Sequence, residues 1–316
     1  MIILLSMLKT KNIITYSLKK RNSKVDIKDF AKAPAKKRSF LRFYDSLPHI
    51  LKGADLRGVV EAIVAAHKNR KPVIFMMGAH VIKCGLSPVV IELMKNKVIT
   101  CIAINGAGLI HDFEIAFQGG TSEDVATGLR KGEFGMGRET ADFINEAVRV
   151  GVCKGKGIGE SVGSKIYAGS LRYSALSILN NACKYKIPVT AHIAIGTDII
   201  HQHPSFDAAL TGEGSKRDFH ILTEQVCKLE GGVVLNFGSA VILPEVFLKA
   251  LNLARNLGFK VRHFTAANFD MMYHYRPAEN IVRRPVQSSG KGCYIVGHHE
   301  IMLPLLAQAV IEKIKR

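Results

Sequence analysis

Two glycine-rich turns carry the residues that could do chemistry in this chain. The first covers residues 77–85, MGAHVIKCG, and the second covers residues 105–114, NGAGLIHDFE; each follows an apolar run typical of a strand. Glycine lets a phosphate or a ribose approach the main chain closely, so such turns suit a nucleotide. In the second turn His111 stands beside Asp112, and a neighbouring carboxylate tunes an imidazole for acid–base work. The alternative role for Asp112 is a helix cap.

The elements around these turns predict the fold class. A helix over residues 87–95, with Ser87 as its N-cap and Pro88 at its first helical position, separates the two apolar runs. Strands and helices then keep alternating, with further strands expected over residues 188–195, 232–236, 260–264 and 293–296. This order predicts an α/β, Rossmann-like fold, a mostly parallel sheet with helices on both faces. Ligands of such sheets bind at the carboxyl ends of the strands.

Composition divides the chain into two parts. Of a net charge of +18 over 316 residues, +9 lies in residues 1–45, which hold twelve Lys or Arg against three Asp. We therefore expect residues 1–40 to form a basic, partly disordered arm and residues 41–316 to form a single α/β domain. No helix-turn-helix, RRM or zinc-finger pattern accompanies the charge, so a nucleic-acid function is disfavoured.

The remaining composition predicts a cytoplasmic protein that does not enter the membrane. No run is long and apolar enough to span a bilayer. The six cysteines show no CxxC spacing, which favours reduced core residues over a disulfide framework or a zinc ribbon.

Two further patterns could hold ligands. His201-Gln-His203, with His192 nearby, has a spacing that zinc uses, but the sequence offers no clear third ligand, so no metal is predicted. Residues 154–159, KGKGIG, have the composition of a phosphate loop without the spacing of a P-loop. We expect them to form an exposed loop.

Five segments, taken in chain order, resemble deoxyhypusine synthase. They are the turn at residues 105–114, the strand and turn at 187–198 (IPVTAHIAIGTD), the segments 265–270 (TAANFD) and 276–279 (RPAE), and the final strand and helix near 293–306. The resemblance covers roughly residues 40–310. It implies an NAD-binding homotetramer with sites at subunit interfaces. Members of the family oxidise a polyamine with NAD and transfer its aminobutyl group to a lysine, through an imine on an enzyme lysine.

The resemblance also implies roles for particular residues. The NAD-binding role carries over to Gly78, His80, Asn105, Gly106, Ala107, Asp198, Gly238, Thr265, Ala266 and Asp270. Among the amine-binding carboxylates of the family, Glu279 is kept. His298-His299 replaces an alanine-aspartate pair that contacts the adenosine end of NAD, so NADP or no dinucleotide are the alternatives to NAD.

This sequence departs from the family pattern at the residues that would carry out the reaction. The family's nucleophilic lysine follows a tryptophan-glycine pair, whereas this chain has no tryptophan, and its nearest downstream lysine is Lys291. Either Lys291 has taken over the imine, or no enzyme imine forms. Arg276, Arg283 and Arg284 lie nearby, which favours a substrate with a carboxylate, such as an amino acid; the alternative is a set of interface ion pairs.

These observations lead to one functional prediction and one alternative. The prediction is an NAD-dependent transferase or oxidoreductase of the deoxyhypusine synthase type, acting on a small amine or amino acid. His111, Asp112 and Glu279 are its candidate acid–base groups, and Lys291 is the candidate imine former. The alternative is a non-catalytic dinucleotide-binding protein that kept the fold and lost the lysine-imine chemistry.

Overall fold

The computed structural model describes residues 13–314 and contains one six-stranded sheet in which every neighbouring pair is parallel. The strands are β1 (Val73–Met77), β2 (Cys101–Asn105), β3 (Val189–His192), β4 (Val233–Phe237), β5 (Thr265–Asp270) and β6 (Lys291–Val296). Their order is β3-β2-β1-β4-β5-β6. This is the Rossmann order, with the topological switch point between β1 and β4. The predicted fold class is confirmed.

Helices cover both faces of the sheet. The longer ones are α2 (Leu51–Lys68), α4 (Ser87–Lys95), α5 (Gly106–Gln118), α7 (Arg138–Cys153), α8 (Ile158–Gly169), α9 (Ile178–Tyr185), α10 (Ala208–Cys227), α11 (Ile242–Asn256) and α13 (His299–Ile314). The short ones are α1 (Phe40–Tyr44), α3 (His80–Lys83), α6 (Val125–Lys131) and α12 (Tyr275–Pro277).

The apolar runs explain why the sheet is buried on both sides. Along β1, Phe75 and Met77 pack into one hydrophobic cluster while Ile74 and Met76 pack into another. Successive side chains of a strand point to opposite faces, so a continuous apolar run is what a doubly covered strand requires. All five side chains of β1 are fully buried.

The fifth strand lies later in the chain than its pattern suggested. Residues 260–264 were expected to form it, yet β5 is Thr265–Asp270. Residues 265–270 hold few β-branched residues, which hid the strand. Their polar Asn268 is accommodated because its Oδ1 accepts a hydrogen bond of 2.6 Å from Asn236 Nδ2 on β4. The carboxyl end of this strand is therefore Asp270.

The expected loop at residues 154–159 is present, but its last two residues already belong to a helix. Helix α7 runs to Cys153 and α8 begins at Ile158, so only residues 154–157 connect them. Gly159 and Gly163 lie inside α8, where a Cβ would meet the main chain of β3 or of α9. Glycine here allows close helix packing, which the composition alone did not distinguish from loop flexibility.

The N-terminal arm and the cysteines differ in part from expectation. Residues 13–39 are mostly exposed and form two single turns of 3-10 helix, and backbone hydrogen bonds join Lys32 to Ser46 and His49 to Asp29. Residues 1–12, also assigned to the arm, lie outside the described residues. Cys101 and Cys293 are core residues, whereas Cys153 is exposed. Between residues 13 and 314, no helix has the length and apolar character that crossing a membrane requires.

Candidate functional site

A cavity of about 650 Å³ opens at the carboxyl ends of β2 and β3, beside the first turns of α5. We call it the α5 cavity. Its polar lining consists of Lys83, His111, Glu114, Gln118, Thr121, Ser122, Glu123, Glu139, Thr140, Thr197 and Asp198. Helix α5 starts here because Asn105 ends β2 and caps the helix, its Oδ1 accepting from the Gly108 N–H at 3.1 Å. The strand end and the cap thus place His111 and Glu114 on the cavity wall.

A hydrogen-bond relay orients His111. Its Nδ1 lies 2.6 Å from Thr121 Oγ1, and the Thr121 hydroxyl donates to Glu114 Oε2. Because the single Thr121 proton is used on Glu114, Nδ1 of His111 must be the donor in the first contact. Nε2 of the neutral ring therefore carries a free lone pair. Thr140 Oγ1 holds the other Glu114 oxygen at 3.1 Å.

The electrostatic surroundings keep this imidazole neutral. Burial lowers the pKa of His111 below its ordinary value, Glu114 opposes that shift, and the Lys83 ammonium adds to it. A neutral histidine with a lone pair facing a cavity is a proton acceptor near pH 7. The arrangement has the geometry of a general base with an orienting hydroxyl–carboxylate pair behind it.

Asp198 presents a buried acceptor at the start of α5. Its side chain is 7% exposed, and its Oδ2 has no hydrogen-bond partner among the described residues. Burial raises the pKa of Asp198 to about 6, while the Ala107 N–H lowers it. A Cβ at position 106 would collide with Asp198 Oδ2, so the glycine there leaves room for this carboxylate. An unpartnered buried acceptor is costly unless a ligand supplies a donor.

His201 lies next to Asp198 and accepts a hydrogen bond from its main chain. Its Nδ1 accepts hydrogen bonds from the Gly196 N–H at 3.0 Å and from the Asp198 N–H at 3.2 Å. The ring proton therefore sits on Nε2, which lies 3.7 Å from Asp198 Oδ2. Burial lowers the pKa of His201, which keeps the ring in this neutral form.

Asp112, although adjacent to His111, does not take part in this site. Its Oδ1 accepts from the Ile178 N–H at 2.7 Å, and its Oδ2 accepts from the Ser177 hydroxyl and from the Leu179 N–H at 3.1 Å. Neighbouring residues on a helix point about 100° apart, so Asp112 faces the core. It caps α9 rather than tuning His111, and rather than capping the helix on which it lies.

At the switch point, two glycines allow the strand ends to approach each other closely. A Cβ at Gly78 would lie 2.5 Å from the Gly238 carbonyl oxygen, and one at Gly238, where φ is +67°, would lie 2.5 Å from Nε2 of His299. The rings of His80 and His299 are 5.8 Å apart. Asp270, at the end of β5, lies 3.6 Å from His274 Nε2. Four of the expected cofactor-binding residues (Gly78, His80, Gly238 and Asp270) therefore lie at this edge.

Three expected site residues lie at the opposite edge. Lys291 is the first residue of β6 and pairs with Thr265, the first residue of β5, followed by Ala266. Each step along a strand advances about 3.3 Å, so Lys291 is roughly 16 Å from the carboxyl end of β6. The Lys291 ammonium packs over Gly58 of α2 instead. This placement keeps Lys291, Thr265 and Ala266 away from the carboxyl edge of the sheet, so the imine role expected of Lys291 and the cofactor role expected of Thr265 and Ala266 find no support there.

Glu279 is engaged in a local ion-pair group. It lies in a π-helical turn (Ala278–Arg283), where Arg283 Nη2 approaches its Oε2 at 2.7 Å and Arg284 Nε at 3.3 Å. Arg276 pairs with Glu245 at 3.6 Å. The structure therefore favours ion pairing over substrate binding for these arginines, and it does not bring Glu279 into the α5 cavity.

The histidine and phosphate-loop patterns have structural roles. Within residues 13–314 no three His, Cys, Asp or Glu side chains come together as a metal site would require. His192 is buried and bonded to Thr190, and burial lowers its pKa to about 4. The N-terminus of α8 is occupied, because Asp218 Oδ2 accepts from the Gly159 N–H at 2.9 Å.

Several cavity residues escaped the sequence analysis. Glu114 could have been found, because it lies three positions after His111 on a predicted helix and so shares its face. Thr140 comes from α7, 26 positions from Glu114, and only the fold brings the two together. Lys83 carried no motif of its own, and the spacing of His201 and His203 pointed to a metal rather than to contact with Asp198.

Comparisons with known proteins show the fold. No protein-family model and no curated protein matches the chain. A provisionally assigned LOR/SDH protein from Methanococcus maripaludis matches with a TM-score of 0.55 at 15% identity, over 84% of this chain and 70% of that one. AgrE in its ternary complex with ornithine and NAD+ matches with a TM-score of 0.55 at 14% identity, over 83% of this chain and 33% of that one.

A third solved structure shares the fold over nearly its whole length. A provisionally assigned deoxyhypusine synthase from Entamoeba histolytica matches with a TM-score of 0.50 at 10% identity, over 89% of this chain and 96% of that one. The chain spans about a third of AgrE and, at 31%, of the arginine dihydrolase ArgZ from cyanobacteria. At these identities the likeness establishes a shared Rossmann-like fold.

Proposed function

We propose that this chain is an NAD-dependent enzyme that acts on a small amine or amino acid bound in the α5 cavity. The observation that carries the proposal is the relay from Glu114 through Thr121 to His111, a ring in the cavity lining whose Nε2 lone pair has no partner among the described residues. The strand order supports a dinucleotide at the carboxyl edge of the sheet. The similar fold of AgrE, solved with ornithine and NAD+, supports the same pairing of cofactor and substrate class.

The residues at this edge fit a dinucleotide. The glycines at 78, 106 and 238 remove side chains from the strand ends, and His80 and Asp270 stand beside them. The unpartnered Oδ2 of Asp198 is an acceptor that suits a ribose hydroxyl. Asn105 and Ala107 complete the turn at the start of α5. NAD, when bound there, supplies the hydride acceptor.

The cavity residues handle charge and protons. Besides Asp198, three carboxylates line the cavity, Glu114, Glu123 and Glu139, and their charge suits a substrate amine. His111 Nε2 takes one proton from the substrate ammonium, which leaves the amine nitrogen free to form an iminium as the adjacent carbon gives up a hydride. The Glu114–Thr121 pair stabilises the resulting imidazolium.

Lys291 lies outside the α5 cavity, so the cavity offers no support for transfer through a lysine imine. We therefore place oxidoreductase chemistry ahead of aminoalkyl transfer. The homotetramer that the family resemblance implies and the cytoplasmic location stay predictions. Light scattering on the purified protein tests the tetramer directly.

Two measurements test the proposal. Calorimetric titration with NAD and NADP measures cofactor binding, and a panel of amino acids and amines is then screened for NADH formation. His111→Gln should lower kcat by roughly 10²- to 10⁴-fold, the range for loss of a general base, and leave the Kd for NAD unchanged. His220→Gln, an exposed histidine on α10, is the matched control and should behave as wild type.

The outcomes separate the candidates. Tight NAD binding with no turnover on any amine would favour the non-catalytic dinucleotide-binding alternative. Binding of neither dinucleotide would overturn the proposal.

A further inference from the structure

Lys83 is distinct among the residues of the α5 cavity. Of the described residues that line it, Lys83 is the single ammonium, and no arginine joins it. The same lining holds four carboxylates. The cavity therefore has one point where an anion would be bound and several where a cation would be bound.

The Lys83 charge is free for a ligand. It makes no ion pair or side-chain hydrogen bond with any residue between 13 and 314, since the carboxylate near α3, Glu300, is engaged with Cys84 and His298. Glu114, across the cavity, is held by Thr121 and Thr140. Lys83 is an exposed side chain in the lining of the cavity, and an exposed charge without a partner adds little to stability and is available to a ligand anion.

Lys83 also lies between the two parts of the site. It ends α3, the short helix that follows Gly78 at the switch point, and α3 packs against α5, which carries His111. Its ammonium acts on His111, the pKa of which is lowered first by burial and additionally by Lys83. A carboxylate bound by Lys83 would therefore lie close to both the cofactor edge and the base.

We infer that Lys83 binds the carboxylate of the substrate, and that the substrate is an α-amino acid with a second cationic group rather than a polyamine. One carboxylate would meet Lys83, and the ammonium groups would meet the acidic lining. A polyamine would instead place a like charge against Lys83. This inference rests on the proposed function and narrows its substrate class.

The test uses two ligands that differ only in the carboxylate, L-ornithine and 1,4-diaminobutane, each titrated by calorimetry into the NAD-loaded protein. Wild type should bind ornithine more tightly than the diamine. Lys83→Met should weaken ornithine binding by about 10- to 100-fold, the loss expected for a charge-assisted hydrogen bond, and should leave diamine binding unchanged or tighter. Lys68→Met, an exposed lysine at the end of α2, is the control.

Two results would overturn the inference. Equal weakening of both ligands by Lys83→Met would assign Lys83 a structural role, and tighter wild-type binding of the diamine would return the substrate class to polyamines. If NAD binds but neither ligand does, the amino-acid inference fails while cofactor binding stands. If NAD itself does not bind, the proposed function fails. NAD binding therefore distinguishes failure of the proposed function from failure of the amino-acid inference.

Discussion

Asp112 and Asp198 are two buried carboxylates at helix N-termini whose surroundings differ in one respect. Burial raises the pKa of each to about 6. Both oxygens of Asp112 are filled, by the Ser177 hydroxyl and by the N–H groups of Ile178 and Leu179. Asp198 leaves Oδ2 without a partner at the wall of the α5 cavity.

The comparison shows that a raised pKa does not by itself mark a functional group. Desolvation shifts both carboxyls in the same direction, because it penalises the charged form wherever it occurs. Their hydrogen bonds distinguish the two carboxylates. Both oxygens of Asp112 accept hydrogen bonds from the fold, whereas Oδ2 of Asp198 is left for a ligand. Substitutions at the two positions should therefore separate stability from binding.

The largest expected effect is on stability, from Asp112→Leu. Two backbone N–H groups and one hydroxyl would lose their acceptor inside the core, at about 1–3 kcal/mol for each orphaned group. We expect the free energy of unfolding to fall by roughly 3 kcal/mol or more in urea denaturation. Asp198→Leu should cost far less, and an equal loss at both positions would break the comparison.

The second effect is on the pH dependence of stability. Burial raises the folded pKa of Asp112 to about 6, above the ordinary value of an aspartate, so the folded state binds the proton more tightly. Its contribution to the free energy of unfolding is therefore largest at low pH and is lost as pH rises from about 4 to 6, by on the order of 1–3 kcal/mol. Asp112→Asn should flatten this slope in urea titrations taken at several pH values.

Part of the slope should survive in Asp112→Asn. Burial raises the pKa of Asp198 to about 6 and that of Asp218 to about 7, so both contribute with the same sign. A slope unchanged from wild type would show that Asp112 is ionised in the folded state without penalty.

The smallest effect is on binding, from Asp198→Asn. Loss of the charged acceptor should weaken NAD binding by about tenfold in calorimetry, equivalent to about 1.4 kcal/mol. The free energy of unfolding should stay within about 1 kcal/mol of wild type, because Oδ2 makes no hydrogen bond in the fold. Asp112→Asn is the matched control, and a similar loss of NAD affinity there would assign both effects to general destabilisation.

The architecture could be predicted from local patterns. Apolar runs such as β1 alternate with amphipathic helices, and this alternation implies a parallel sheet covered on both faces. The glycine turn after β2 places His111 on a helix at the carboxyl edge, which the spacing alone indicates. The fifth strand was misplaced because its burial depends on the Asn236–Asn268 pair, which local propensity does not contain.

The roles of individual side chains required the tertiary structure. Lys291 was preferred from its order in the chain, yet it starts β6 at the amino edge, whereas Lys83 lies in the cavity. Asp112 and His111 are adjacent in sequence, yet their side chains belong to different sites. Glu114 and Thr140 are distant in sequence, yet their side chains are hydrogen-bonded. The sequence by itself determined the fold class and the edge of the sheet that carries the site, because hydrophobic periodicity is local. Which charges meet there was decided by packing between distant elements.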